Sequence, residues 1–410
     1  MPRGFVLPWS RGTVAELFTG RDNSLGFLRL ALATAVVVSH ARILGYGGKE
    51  HLLGFSHGQL TLGTISVYGF FVLSGILVSR SGARLPVGRY FWHRVLRILP
   101  GFWVCLLFTA FVAAPFLHWY VRGDLGGFSG PAGPLDYVQA NWSLAMRQYD
   151  ISGILTELRG SGAQVYNSAF DGALWSLRYE FLCYVGVAVL AVTGVLTRAR
   201  RAVLLVTAVL FWLVARQALD KPFWHGPSEA RYFEAVELPL LGVVTPAYTI
   251  YLGLAFCLGV LIELYRDRIP VSDWLGAASL AVVAGSLHYG YFFVFGIPAF
   301  AYALVWLAIR LPAPFRRIGA RNDYSYGIYI YGFVVQQVLA VIGWTRWGMP
   351  AYLGLTMVFT LILAAASWHL VERPALRMKD LWRRPPAPRL PQPAKAPAEP
   401  EAPVPVAAGR

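Results

Sequence analysis

The sequence predicts an all-α, polytopic membrane protein with about ten transmembrane helices and both termini in the cytoplasm. Hydrophobic residues make up 56% of its 410 residues, whereas charged residues make up only 14%. Uncharged apolar stretches long enough to cross a hydrocarbon core of about 30 Å recur along the chain. Arginines gather at alternate connections between these stretches, as the positive-inside rule requires. Soluble globular domains do not combine these features.

The predicted spans begin with the apolar run from Leu25 to Tyr46. The run at 274–309 carries no formal charge and is too long for one helix, so we divide it at 288–290, where His-Tyr-Gly favours a tight turn. The complete set of predicted spans is 25–46, 59–78, 99–117, 181–196, 202–219, 240–262, 274–287, 289–309, 324–342 and 349–370.

The distribution of arginines sets the orientation and the domain organisation. A cytoplasmic N-terminus places most arginines at inner connections, and ten spans return the C-terminus to the same side. We therefore divide the chain into a cytoplasmic segment at 1–23, a membrane domain at 24–372 with a large extracytoplasmic loop at 118–171, and a cytoplasmic tail at 373–410 that is basic, then Pro/Ala-rich and disordered. The net charge of +15 is dispersed over helix ends, so no nucleic-acid partner is expected.

Two ionisable residues lie within the first predicted span. Arg29 and His40 are eleven positions apart, which places their side chains on one helical face at a separation of about 16 Å. Ionisable groups at membrane depth are costly and mark function by default. The alternative is that Arg29 reaches the cytoplasmic interface and that His40 only caps the outer end of the helix.

Two further segments, one inside the second predicted span and one just before the third, carry small or basic residues. Ser74 and Gly75 follow an aromatic run and allow close approach of a helix or a ligand. Arg94 and Arg97 share one helical face at the cytoplasmic boundary, where they can form charge-assisted bonds to phosphates. Each pair has a structural alternative, since Ser74 and Gly75 can serve packing alone and the arginines can be topology anchors.

The fourth and ninth predicted spans supply a carboxylate and aromatic side chains. Glu180 lies near the outer end of the fourth span, preceded by Trp175, and the ninth span opens with a tyrosine-rich face that includes Tyr326 and Tyr329. Glu180 can instead pair with Arg178 at the interface, and the aromatic residues can belong to the aromatic belt of a membrane protein.

In their order and spacing, these motifs resemble those of the acyltransferase-3 family of polytopic membrane O-acyltransferases, which includes bacterial O-antigen and exopolysaccharide acetyltransferases. The resemblance covers about 24–373. Arg or Lys-x10-His, Phe-Phe-x-Leu-Ser-Gly, Arg-x-x-Arg, Leu-Trp-Ser-Leu-x-x-Glu and Val-Glu-Arg-Pro match 29–40, 70–75, 94–97, 174–180 and 371–374. Many relatives carry a histidine where this chain has Gly332, so no role of that histidine is carried over.

The resemblance implies transfer of an acyl group, commonly acetyl, from cytoplasmic acyl-CoA to a hydroxyl of an extracytoplasmic or lipid-linked glycan. Acyl-CoA would be a co-substrate rather than a bound cofactor. The other expected partners are the glycan or glycolipid acceptor and the lipid bilayer, and the expected location is the bacterial inner (cytoplasmic) membrane. No metal is expected, because the three cysteines fall inside predicted spans without metal-ligand spacing.

Within this reading, His40 acts as the general base on the acceptor hydroxyl, and Glu180 stabilises the transient imidazolium. Arg29 either holds part of the donor or stabilises the oxyanion. Covalent transfer through His40 or Ser74 remains a second possibility. The expected catalytic residues are His40, Glu180 and Arg29, the donor-binding residues are Arg94, Arg97, Ser74 and Gly75, and the acceptor-supporting residues are Trp175, Tyr326 and Tyr329.

A transporter or flippase for a glycan, a lipid-linked sugar or a small anion is the alternative function. About ten helices with a few buried charges suit it as well, and an arginine-lined inner mouth could recognise phosphate. Neither an internal repeat nor a pair of Gly/Pro-broken helices is visible in the sequence, and both are typical of transporters.

Overall fold

The structure, a computed structural model, describes residues 12–20, 22–160, 165–230 and 234–381. In these ranges a helix lies over every predicted span. We label these helices α1 (Leu25–Tyr46), α2 (Leu62–Gly82), α3 (Val87–Arg122), α4 (Gly172–Val192), α5 (Arg200–Ala218), α6 (Pro246–Leu264), α7 (Asp273–Tyr289), α8 (Phe292–Arg310), α9 (Ser325–Val341) and α10 (Met349–Arg377). All except α7 and α9 are long and apolar enough to cross a membrane, and α9 is a shorter apolar helix. The predicted all-α, polytopic class is confirmed.

The ends of several helices differ from the predicted ends. Helix α3 begins at Val87 rather than at 99. Its first turns are amphipathic, and because they carry several arginines their hydropathy is too low for a predicted span. Helix α4 begins at Gly172 rather than at 181, because Arg178 and Glu180 lower the hydropathy of its first turns although these turns are buried. Helix α6 begins later than predicted, with Pro246 in its first turn, where proline costs no hydrogen bond.

Two connections carry structure of their own. The loop predicted at 118–171 begins inside α3 and contains two short helices, Pro134–Asn141 and Ile154–Gly160. The connection between α5 and α6 contains an antiparallel hairpin of β1 (Val236–Leu238) and β2 (Gly242–Val244), which we did not predict.

Helices α2 and α6 pack backbone to backbone through two glycines. A Cβ atom at Gly75 would lie 2.1 Å from the carbonyl oxygen of Phe256, and one at Gly259 would lie 2.1 Å from that of Val72. Small residues at such crossings let membrane helices approach closely and gain van der Waals contact. Gly75 is therefore a packing residue.

Helices α1 and α9 lie side by side in the centre of the bundle and run in the same direction. Gln336 of α9 donates to the carbonyl oxygen of Val37 on α1, at a distance of 2.8 Å. Gly332 gives the closest approach, since a Cβ there would lie 2.5 Å from the Val37 side chain. This contact explains why a small residue occupies the position. We call the end of the bundle near Arg29 the arginine end and the opposite end the His40 end.

The described contacts form one unit that ends at Lys379. Of the predicted N-terminal segment, residues 1–11 and 21 lie outside the described residues, as does the predicted disordered tail from 382 onward. Within the described part, Val14 and Phe18 are buried, and Arg266 donates to the carbonyl oxygen of Phe18 at 2.8 Å. This segment therefore packs against the arginine end of the bundle.

Candidate active site

A cavity of about 530 Å³ penetrates the bundle from the arginine end. Six of the ten helices contribute to its wall: α1, α2, α3, α4, α9 and α10. Most of the residues expected at the site meet in this cavity. They are Arg29, Ser74, Arg94, Arg97, Glu180, Tyr326 and Tyr329.

Asp323, just before α9, joins two of the expected arginines. Its Oδ2 accepts a bond of 2.6 Å from Arg97 Nη2 and lies 3.2 Å from Arg29 Nη2. Burial alone would raise the pKa of Asp323, but the two guanidinium charges and the Ser325 hydroxyl hold it well below its usual range. Arg97 also lies 3.9 Å from Glu372 of α10. Arg29 and Arg97 are thus fixed by a carboxylate that the sequence analysis did not select.

Arg94 lies in the same cavity but has a different environment. Its guanidinium lies over the rings of Tyr90 and Tyr184, at 5.9 and 5.7 Å from their centroids. Among the described residues it forms no ion pair with a carboxylate. Arg94 can therefore offer its full charge to an anion that enters the cavity.

Glu180 does not contact His40, so the expected pair is wrong. The Oε1 atom of Glu180 accepts bonds from Ser74 Oγ at 2.8 Å and from the Tyr184 hydroxyl at 2.6 Å. Glu180 lies two turns into α4, which carries it away from the His40 end. The alternative pair with Arg178 does not form either, because Arg178 donates to the carbonyl oxygen of Val243 in β2.

Glu50 is the carboxylate partner of His40. His40 Nδ1 lies 3.3 Å from Glu50 Oε1, and Ser39 donates to Glu50 Oε2 at 2.9 Å. Burial alone would raise the pKa of Glu50, but the bond and charge of His40, with the hydroxyls of Thr61 and Ser39, lower it. Glu50 is therefore ionised beside the imidazole. Glu50 could have been selected from the sequence, because it is the only acidic residue between Asp22 and Asp124 and lies ten residues after His40.

The cavity and His40 are linked along α9. Tyr329 lines the cavity, and its hydroxyl donates to the carbonyl oxygen of Ala173 at 2.6 Å. One turn further along α9, Phe333 meets the ring of His40 edge-on, with 5.3 Å between the centroids. His40 itself does not line the cavity. The ring of Phe333 thus packs on the imidazole one turn of α9 beyond the cavity-lining Tyr329.

Two expected site residues lie elsewhere. Gly75 is not part of the cavity wall, because it faces α6 in the close helix contact described above. Trp175 packs against the rings of Tyr179 and Tyr248, with centroid distances of 5.7 and 5.0 Å. In this structure neither residue contacts the cavity, so the donor-binding role of Gly75 is not supported by its position.

The fold and the site define a polytopic membrane protein with a buried cationic cavity at one end and a histidine–glutamate pair at the other. A family model described as an acyltransferase domain matches residues 22–369. The chain is 28% identical over 365 residues to an O-acetyl transferase of Shigella phage Sf6, which covers 86% of this chain and 96% of that protein. It is also 28% identical over 392 residues to nodulation protein 10 of Rhizobium leguminosarum bv. viciae, which covers 90% of this chain and 97% of the relative. No solved structure shows a significant match.

The chain therefore belongs to the acyltransferase-3 family. It is a multi-pass membrane O-acyltransferase, as the family and the named O-acetyl transferase indicate.

Proposed function

We propose that this protein moves an acyl group, acetyl in the first instance, from cytoplasmic acyl-CoA to a hydroxyl of a glycan or glycolipid. One observation carries the proposal. A single helix, α1, bears Arg29 in the cationic cavity and, three turns away, His40 bonded to Glu50. A phosphorylated donor and a proton acceptor can therefore be held at opposite ends of one rigid element.

The cavity suits the donor. Arg94 and Arg97 can bond the phosphates of CoA, and the narrow pantetheine arm can extend between the helices toward Tyr329. Arg29 is held by Asp323 near the cavity entrance, which favours donor binding over oxyanion stabilisation. Because Phe333 packs on the His40 ring, a change of its rotamer would open a path for the thioester from the cavity to the imidazole.

The histidine–glutamate pair suits the chemistry. With Nδ1 of His40 donating to Glu50, the lone pair of Nε2 is available to a hydroxyl. Nε2 takes the proton of the acceptor hydroxyl as its oxygen attacks the thioester carbonyl carbon. The C–S bond then breaks, and the proton passes to the thiolate to give CoA and the ester. Glu50 stabilises the transient imidazolium.

The positive-inside rule places the arginine end in the cytoplasm, so His40 faces the outer side of a cytoplasmic membrane. The long connection between α3 and α4 is at this end and carries exposed aromatic residues, including Trp142 and Tyr166. Such residues stack well on sugar rings. This arrangement supports an acceptor outside the membrane or in its outer leaflet.

The test is transfer of radiolabelled acetyl from acetyl-CoA in membranes of an expressing strain. Wild type is compared with His40→Ala at matched protein levels. We expect label in a glycan or glycolipid fraction with the wild type only. Uptake of a glycan precursor without any acetyl transfer would replace the proposal with the transporter alternative.

A further inference from the structure

A second depression lies beside the cavity at the arginine end. Its volume is about 860 Å³, and it is bounded by the first turns of α1 and by the segment 313–325 that precedes α9. Gly319, Ala320, Arg321, Asp323 and Ser325 line both this depression and the cavity. A ligand that is too long for the cavity can therefore continue into the depression across one shared wall.

The depression carries positive charge that the protein does not neutralise. Arg316 pairs with Asp22 at 3.0 Å, and Asp323 is engaged by the arginines of the cavity. Arg317 and Arg321 are exposed, and neither forms an ion pair with a carboxylate in the part of the chain that the structure describes. Two guanidinium groups thus remain for an anionic ligand.

The segment that bears these arginines is held firmly against α1. Gly319 adopts a φ of 72°, and Gly26 approaches it so closely that a Cβ at Gly26 would lie 2.6 Å from the carbonyl oxygen of Ile318. The rings of Phe27 and Phe315 pack at 4.6 Å between their centroids. This contact fixes the segment one turn of helix from Arg29, so that its arginines are preorganised.

We propose that this depression binds the adenosine end of the donor, with Arg317 and Arg321 contacting the ribose 3′-phosphate of CoA while Arg94 and Arg97 keep the diphosphate at the cavity. The inference rests on the proposed function, since it places the 3′-phosphorylated adenosine outside the cavity that receives the pantetheine arm. It follows that the protein selects CoA over 3′-dephospho-CoA, and that this selection depends on residues well separated from His40.

Binding to purified protein in nanodiscs of zwitterionic lipid tests the inference. The affinities for CoA and for 3′-dephospho-CoA are measured with wild type, with Arg317→Gln/Arg321→Gln and with Arg268→Gln. Arg268 is a matched control because it is an exposed arginine that lines neither the depression nor the cavity. We expect the double variant to lose about 30-fold in affinity for CoA but only a few-fold for 3′-dephospho-CoA, since a lost charge-assisted contact costs most where the phosphate is present.

Competition identifies the ligand chemistry. Adenosine 3′,5′-bisphosphate should displace CoA, whereas inorganic phosphate at the same concentration and anionic lipid in the nanodisc should not. Equal affinity of the wild type for CoA and 3′-dephospho-CoA, equal losses in the control variant, or displacement of CoA by anionic lipid would each overturn the inference.

The same measurements separate this inference from the proposed chemistry. Retained selection for the 3′-phosphate together with absent acetyl transfer would contradict only the proposed function. Active acetyl transfer from acetyl-CoA without that selection would contradict only the nucleotide site. Failure of the wild type to bind CoA would overturn the site.

Discussion

Replacement of Glu50 by glutamine is expected to slow acyl transfer by about 30- to 150-fold. When His40 takes up the acceptor proton, its positive charge lies 3.3 Å from the Glu50 carboxylate. Coulomb's law gives an attraction of about 5 kcal/mol at an effective dielectric constant near 20 and about 1 kcal/mol in bulk water. The two side chains are 22% and 16% exposed, so an intermediate loss of about 2 to 3 kcal/mol is expected.

The assay for this variant is steady-state acetyl transfer, with kcat and KM for acetyl-CoA determined separately. The loss should fall on kcat, because Glu50 is remote from the donor cavity. Lys49→Gln, an exposed neighbour in the same connection, is the control and should behave as wild type. An unchanged kcat for Glu50→Gln, or a loss that appears only as a higher KM, would refute the role of Glu50.

The pH dependence of this effect follows from the lowered pKa of Glu50. A carboxylate with a depressed pKa contributes above its ordinary pKa and loses its effect only as the pH falls through the lowered value. Protonation of Glu50 should therefore not contribute to the pH–rate profile of the wild type above about pH 5, so the acidic limb of that profile should show a single ionisation, that of the base. A second ionisation between about pH 7 and 5 in the wild type, absent from Glu50→Gln, would contradict the assignment.

Three further predictions concern stability, each checked by thermal unfolding of the purified protein. Arg97→Gln removes the 2.6 Å partner of buried Asp323 and should cost about 3 kcal/mol, so an unchanged Tm would contradict the pairing. Gly75→Ala places a methyl group against the Phe256 carbonyl oxygen and should cost about 2 kcal/mol, whereas a wild-type Tm would show that α2 and α6 can separate freely. Burial raises the pKa of Asp171 from 3.8 to about 7, although the Tyr137 hydroxyl acts in the opposite direction. Between these two pH values Asp171 ionises in the unfolded chain only. The wild type should therefore lose stability as the pH rises from about 4 to about 7. Asp171→Asn should flatten this slope, and parallel curves for the two proteins would contradict it.

The order of the helices could be predicted because eight of the ten are long apolar runs and charged connections separate most of them. Their boundaries could not, because hydropathy does not separate a polar helical turn from a loop. The first turns of α3, which carry Arg94 and Arg97, were excluded from the predicted span although they form its amphipathic start. The hairpin of β1 and β2 was missed because it is short and lies beside an apolar helix.

The residues of the cavity could be predicted in large part, but their partners could not. Arg29 was selected as an ionisable group at membrane depth, Arg97 as a phosphate-binding arginine at the cytoplasmic boundary and Glu180 as the carboxylate of a family motif. The structure brings all three to one cavity. Asp323 is 226 residues from Arg97 in the sequence, and only the tertiary fold shows that they meet. Glu50 was not selected because it lies in the connection between α1 and α2 rather than in a predicted span, although it is only ten residues from His40 in the sequence.

The separation of donor binding from proton transfer is tested most directly by two variants at the two ends of α1. Acetyl transfer is measured for Arg94→Gln and for His40→Ala over a range of acetyl-CoA concentrations that reaches saturation. High acetyl-CoA should restore transfer by Arg94→Gln to near the wild-type rate, because the loss is in donor affinity. It should not restore His40→Ala, which lacks the proton acceptor. Substantial transfer by His40→Ala at saturation would contradict the central role of this histidine.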